Sequence, residues 1–310
     1  MQAITLDAHG AAPALRDDLP EPTPAEHEVI LRVHASSANP GDNMIAAGLL
    51  AKEGLEYEFP VTLGRDFAGV VERAGAAVRD LEPGDRVFGV VLPAAPTVRA
   101  GAWAELIAVP AGQAIARVPD GVDLAVAGAA PVAGLAAIAA VEALEITPGE
   151  DVLVVGATGG VGSLAVQLAA RAGANVIAPA LPQDEGFLRD LGVSVVLPRE
   201  GDLVAAVRER FPDGVDALLD LVSYVPGAYD AALRDGARVA SATCAAGEGP
   251  GRTNVMGDPT PESLERLGAL LADGTLRVPV QASYPLARAP EALAALETGH
   301  KQGKLAIAFA

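Results

Sequence analysis

The fold is decided by the stretch Val152-Leu153-Val154-Val155-Gly156-Ala157-Thr158-Gly159-Gly160-Val161-Gly162-Ser163-Leu164-Ala165-Val166-Gln167-Leu168-Ala169-Ala170-Arg171. A β-branched apolar run stops at a glycine cluster, and an Ala-rich segment follows at once. That order reads as strand, tight turn and helix. A helix N-terminus presents unpaired N–H groups and the positive end of the helix dipole, which suits a pyrophosphate. Glycines let the backbone approach phosphates and let the helix pack closely on the strand. The spacing Ala157-x-Gly159-x-x-Gly162 departs from G-x-G-x-x-G at its first position; its place between a strand and a helix gives it weight. The competing reading is a glycine-rich turn without a ligand. Gly156, Ala157, Thr158, Gly159, Gly160, Val161 and Gly162 are therefore nucleotide-binding candidates.

Downstream the pattern alternates. Strands are expected at 175–178, 193–197, 217–221 and 237–241, with helices at 185–191, 203–211, 226–233 and 261–272, the last capped by Thr260. Alternation of this kind implies a parallel, doubly wound sheet. Such sheets bind ligands beyond the carboxyl ends of their strands. That adds Ala180, Leu181, Val222, Ser223, Ser241, Ala242 and Thr243 to the candidates, with Tyr224 able to stack on an adenine or to cover a helix end. Upstream, residues 1–118 read as closely spaced strands with Gly and Pro turns, a small barrel-like sheet. The tail offers a strand at 279–284, a helix at 290–297 and a last strand at 305–308 that rejoins the first sheet. The expected division is 1–118 with 276–310 as one domain and 119–275 as the other.

A chain of 310 residues with 51% apolar content suits two domains with sizeable cores. The net charge of −18 argues against nucleic acid and anionic membranes as partners. A single cysteine, Cys244, excludes an internal disulfide and points to the cytoplasm; its thiol reads as buried and inert. The segment 1–6 is expected to be a first strand and not a signal peptide. Residues 124–141 carry no charge, but their Ala and Gly content with Pro131 inside reads as a buried small-residue helix, not a membrane span.

Several segments, in order and spacing, resemble the medium-chain dehydrogenase/reductase family, in its zinc-free quinone-oxidoreductase (zeta-crystallin-like) branch. They are Ser37-Ala38-Asn39-Pro40-Gly41-Asp42, Leu63-Gly64-Arg65-Asp66-Phe67-Ala68-Gly69-Val70-Val71, Pro83-Gly84-Asp85-Arg86-Val87, Gly101-Ala102-Trp103-Ala104-Glu105, the glycine loop and Gly303-Lys304-Leu305-Ala306-Ile307. The resemblance implies an α/β chain with a GroES-like β-barrel domain, a Rossmann doubly wound parallel-sheet domain and a cleft between them. It implies NAD(P)H-dependent reduction of a small-molecule quinone or α,β-unsaturated ketone, and a homodimer. NADPH is the family's usual cofactor, with NADH left open.

No metal site is expected. Zinc needs about three Cys, His or carboxylate ligands. Here one Cys and four His show no ligand spacing, and Gly64-Arg65-Asp66 stands where zinc relatives carry Gly-His-Glu. A carbonyl must then be polarised by hydrogen bonds. Asn39 matches a family position near nicotinamide and substrate, and its amide can donate to a carbonyl; a plain Asn-Pro turn residue is the equal alternative. Asp42 has a family counterpart too, read as orienting the loop in preference to moving protons.

Three departures stand out. Met44 replaces a usual Tyr, and Ala136 replaces a usual cofactor-contacting Thr. The family's Ser and Lys for a 2′-phosphate are missing after Ala180 and Leu181, where Asp184 and Glu185 follow and Arg199 supplies the nearest cation. Met44 and Ala136 motivate one rival, a secondary-metabolism tailoring enzyme on the same fold (an enoyl reductase, or a cyclase no longer using the cofactor); a non-enzymatic nucleotide-binding protein is a third reading. The basic cluster His300-Lys301-Gln302-Gly303-Lys304 reads first as a complement to a helix dipole; alternatively Lys304 reaches the interdomain cleft. His9, His27 and His34 read as surface or structural residues, and Trp103 as barrel core.

Overall fold

The computed structural model describes residues 1–52, 54–92, 97, 99 and 101–309. Strands Asp151–Val155, Asn175–Ala180, Val195–Pro198, Val215–Asp220, Leu233–Ser241 and Arg252–Asn254 form one parallel sheet. Numbered along the chain, they lie in the spatial order 3-2-1-4-5-6, the doubly wound arrangement whose order reverses beside the first strand. Residues of Asp151–Val155 and Val215–Asp220 are buried almost throughout, because helices cover both faces of a parallel sheet. Helix Gly160–Arg171 packs on helix Pro131–Ala143.

The second body is antiparallel apart from one pair. Its sheet runs Val280–Pro285, Lys304–Ala308, Glu28–Ala38, Asp66–Ala74, Arg86–Val90, Ile115–Arg117, with Leu106–Pro110 pairing the long strand Glu28–Ala38. A smaller sheet joins Ala14–Arg16, Ala3–Leu6 and Val61–Thr62. Trp103 is fully buried against Ile4, Leu63 and Ile307, and a side chain at Gly64 would run into its ring and backbone. The expected first strand and the return of the last strand to the first sheet are both present.

Helix Pro261–Ala272 starts as expected. Thr260 Oγ1 accepts from Ser263 N at 3.2 Å and Ser263 Oγ accepts from Thr260 N at 3.0 Å, a reciprocal cap. The uncharged segment 124–141 becomes two helices, Leu124–Ala129 and Pro131–Ala143, divided just before Pro131 and mostly buried. No helix among the described residues is long and apolar enough to cross a membrane.

Three local expectations are corrected. No α-helix forms at 226–233; only a single turn, Asp230–Ala232, is helical. Gly227 turns with φ +75°, and Arg208 takes the carbonyls of Ala231 and Leu233 that a continuing helix would use. The sixth strand, Arg252–Asn254, lies between the strand expected at 237–241 and the helix expected at 261–272, where no element is expected. Cys244 is exposed, not buried, and sits in the left-handed region at φ 62° on the loop after Ser241.

Candidate active site

The first half of the site is a buried knot of side chains drawn from distant segments. Strand Glu28–Ala38 ends in Ser36-Ser37-Ala38, and Asn39 then stands at the N-cap of helix Pro40–Ala46. Asp66 starts its strand beside them and is fully buried. A buried carboxylate needs donors on both oxygens. Asp66 Oδ1 accepts from Val132 N at 2.7 Å. Its Oδ2 accepts from Ser37 Oγ, from Asn39 Nδ2 at 2.8 Å and from Lys304 Nζ at 3.3 Å. Ser36 Oγ donates to the Asp66 carbonyl at 2.5 Å. Lys304 Nζ donates to Asn39 Oδ1 at 2.6 Å.

Asn39 is therefore held at both ends of its amide. An ammonium only donates and a carboxylate only accepts, so the assignment of oxygen and nitrogen is unambiguous. Asn39 Nδ2 keeps a second N–H. Asp42 acts on the backbone: its Oδ2 accepts from Asn39 N at 2.8 Å, while its Oδ1 is buried with no partner. Burial pushes the Asp42 carboxyl up to about 7, against the opposing pull of the Asn39 amide and the Arg65 charge.

The second half is made of backbone. The loop Gly156–Gly159 joins the first parallel strand to helix Gly160–Arg171, whose N-terminus carries no side-chain cap. Gly156 has φ +92°, and a side chain there would meet Val222 Cγ2 at 2.7 Å. At Gly162 a Cβ would overlap the Gly156 carbonyl oxygen and stand 2.7 Å from Ala157 Cα. The loop is thus a tight backbone turn at the point where the strand order reverses, the place where doubly wound sheets bind their ligands.

Two further loops close around it. Asp220 Oδ1 accepts from Val222 N and Ser223 N at 3.0 and 2.9 Å. Ser241 Oγ accepts from Thr243 N and Ala245 N, both at 3.1 Å, and Thr243 Oγ1 donates to the Ser223 carbonyl. Val222, Ser223, Ser241, Ala242 and Thr243 so share the carboxyl edge with the glycine loop. Tyr224 is 80% exposed and covers no helix end. Ala136 is roofed by Gly257, whose Cβ would lie 2.8 Å from Ala136 N. Met44 is 39% exposed.

At the far end of this edge, Arg199 N donates to the Ala180 carbonyl at 3.0 Å, so Arg199 follows directly beside Ala180 and Leu181. Asp184 is buried and turned away from its own helix. Its carboxylate accepts from His300 Nε2 at 2.9 Å and Gln302 Nε2 at 2.8 Å. Burial would raise its pKa, but these two bonds outweigh burial and hold it below the usual carboxylate range. Glu185 is paired with Arg189 one helical turn on. Burial lowers the Lys301 ammonium, and the charge of Arg199 nearby lowers it further.

The dipole reading of 300–304 is thus corrected. Helix Ala289–Thr298 has no basic residue in its last turn. Only Lys301 caps locally, donating to the Gly299 carbonyl at 2.8 Å. His300 and Gln302 clasp Asp184 across the two bodies, and Lys304 is 4% exposed beside Asn39. Sequence reading missed Asp66, Ser36 and Ser37. The signals for Asp66 were a carboxylate at the head of the apolar run Phe67–Val71 and its place in Gly64-Arg65-Asp66.

Among the described residues no group of three or more His, Cys, Asp or Glu is placed to hold a metal ion. Arg65, which the resemblance sets against the His of zinc relatives, donates from Nε to the Val91 carbonyl at 2.6 Å. The donor set does not fit zinc, whereas the glycine cradle fits a dinucleotide.

The chain matches two family models, one described as an alcohol dehydrogenase GroES-like domain over residues 25–120 and one as a zinc-binding dehydrogenase over residues 191–307. It is 29% identical to a chloroplast envelope quinone oxidoreductase homolog of Arabidopsis thaliana, across 99% of this chain and 98% of that protein. The quinone oxidoreductase of Coxiella burnetii superposes with a TM-score of 0.87 at 29% identity, over 99% of both chains. The Escherichia coli quinone oxidoreductase complexed with NADPH superposes with a TM-score of 0.83 at 25% identity, over 99% of this chain and 100% of that one. With both halves of its architecture matched in order, the chain belongs to the medium-chain dehydrogenase/reductase family.

Proposed function

We propose that this chain is a zinc-independent, NADPH-dependent reductase of quinones or α,β-unsaturated carbonyl compounds. The observation that carries the reading is the amide of Asn39, locked between Lys304 Nζ and Asp66 Oδ2 with one N–H to spare. A nicotinamide cofactor supplies hydride. The glycine loop and the N-terminus of helix Gly160–Arg171 hold its pyrophosphate. Val222, Ser223 and Ser241–Thr243 flank it along the sheet edge. Negative charge that develops on a substrate carbonyl oxygen is met by the spare Asn39 N–H, preorganised in a buried setting where a donor counts for most. Asp42 keeps the Asn39 backbone in place.

Preference for NADPH is supported by the far end of the edge. Asp184, the acid that could have taken a ribose hydroxyl, is occupied by His300 and Gln302. Arg199 and Lys301 leave two cations near the end of the second strand, suited to a 2′-phosphate.

Fluorescence titration with NADPH and NADH, followed by turnover with 1,4-naphthoquinone and 2-cyclohexenone, tests the reading. NADPH should bind more tightly by about tenfold, the value of one charge-assisted contact. Arg199→Ala and Lys301→Ala should each narrow that margin, and together erase it, without changing NADH affinity. Asn39→Ala should lower kcat about 100-fold, as loss of a single oxyanion donor does elsewhere. Binding of neither nucleotide, or full turnover by Asn39→Ala, would sink it.

A further inference from the structure

We propose that Lys304 is a positioning residue: it sets the Asn39 amide and ties that setting to the glycine loop. The proposal rests on the reading of Asn39 given above and extends it to a residue that touches neither substrate nor reacting atoms.

A buried lysine needs a reason, because taking an ammonium out of water is costly unless it is fully paired. Pairing the charge of Asp66 is one reason, but it does not explain where the ammonium sits. Asp66 already receives Ser37 Oγ, Asn39 Nδ2 and Val132 N. The shorter contact of Lys304 is to Asn39 Oδ1, 2.6 Å against 3.3 Å to Asp66 Oδ2. Asp66 anchors only the nitrogen end of the amide. Without Lys304 the buried Asn39 oxygen would lack a donor, and the amide would turn to find one, carrying its spare N–H with it.

The lysine is also built into the nucleotide cradle. Gly303 N donates to the Thr158 carbonyl at 2.7 Å, and Gly303 pairs with Gly159 in an isolated parallel bridge. The Lys304 stem lies over Gly160, where a Cβ would come within 2.9 Å of Lys304 Cδ. The same three loop residues that would carry a pyrophosphate therefore fix the backbone and stem of Lys304. A cofactor that settles the loop settles the amide, through Gly303 and Lys304.

The test has two arms. In the first, cofactor-free protein is labelled with 15N at Lys and Asn side chains; the only lysines are Lys52, Lys301 and Lys304. The Lys304 ammonium should exchange slowly with water and shift on Asn39→Ala. A freely exchanging signal, or one that Asn39→Ala leaves in place, overturns the proposal whatever the catalytic outcome. In the second arm, Lys304→Met should lower kcat with 1,4-naphthoquinone about 100-fold while NADPH affinity changes less than about threefold. In an Asn39→Ala background Lys304→Met should cost nothing more, since the two act as one unit. An equal loss in both backgrounds, or a loss in NADPH affinity with kcat intact, overturns it. If Lys304→Met does not fold, the first arm decides. If the unmodified protein reduces neither quinone nor enone, the proposed function fails and the first arm still reports on the Lys304–Asn39 contact.

Discussion

The glycine loop and the Asn39 knot touch at Gly303 and Lys304, yet they are made of opposite materials. The loop works by what its residues lack. Gly156, Gly160 and Gly162 each sit where a Cβ would strike a neighbour, and the recognition surface that results is backbone. The knot works by what its residues carry: two serine hydroxyls, an amide, a carboxylate and an ammonium, all buried. A backbone site tolerates change in everything but size. A side-chain knot tolerates change in size better than change in charge, because each member satisfies another.

Removing the carboxylate should break the comparison most forcefully. Asp66→Ala leaves the Lys304 ammonium buried with Asn39 Oδ1 as its remaining partner, and also strands Ser37 Oγ, Asn39 Nδ2 and Val132 N. Breaking a buried ion pair from one side costs about 3–5 kcal/mol, readable as a fall in urea midpoint at unchanged slope. Asp66→Asn keeps size and one acceptor and should cost less. If the two substitutions destabilise equally, the lost charge alone accounts for the cost; if Asp66→Asn costs almost nothing, charge is not what organises the knot.

The loop should answer to size alone. Gly162→Ala adds one methyl group against the Gly156 carbonyl and Ala157 Cα. Overpacking of this kind costs about 1–3 kcal/mol, and here it opens the cradle, so nucleotide affinity should fall further than stability. Titration beside thermal unfolding checks the difference. Unchanged nucleotide binding in Gly162→Ala would mean that the helix N-terminus, not the tight turn, does the binding.

The same contrast explains what the sequence made legible. The loop is local: strand, glycines and helix lie within 152–171, so spacing and apolar period disclose it. Parallel-strand positions followed from alternation, and Thr260 from capping chemistry. The knot is non-local. Ser37 and Asn39, Asp66, Val132 and Lys304 come from four segments whose meeting is set by the pairing of Glu28–Ala38 with both Asp66–Ala74 and Lys304–Ala308. No spacing rule reports that. Asn39 and Asp42 were found only through family resemblance, and Lys304 only as one alternative to a dipole role. Helical expectation failed at 226–233 for a related reason: Arg208, distant in sequence, claims the carbonyls.

Measured per pH unit, the smallest expected effect separates Asp42 from the rest of the knot. Asp42 is fully buried, with one oxygen on Asn39 N and the other unpartnered, and burial raises it to about 7. Its folded pKa lies above its unfolded one, so between about pH 4 and 7 the folded chain holds a proton that the unfolded chain has released. The contribution of Asp42 is fully present below the unfolded pKa and is lost as pH rises through the folded value. The slope has a ceiling of about 1.4 kcal/mol per pH unit for one proton. Asp184, lowered instead, acts in the opposite sense and only toward acid, so the two do not cancel above pH 5. Asp42→Asn keeps an acceptor for Asn39 N and removes the titration. Stability measured in urea at pH 5, 6, 7 and 8 should therefore fall less steeply for Asp42→Asn than for the unmodified chain, by about 1 kcal/mol per unit up to pH 7, with the two slopes equal between pH 7 and 8. Parallel profiles would mean that Asp42 stays ionised across the range, and that the carboxylates of this region are balanced by charge after all, Asp42 by Arg65 as Asp66 is by Lys304.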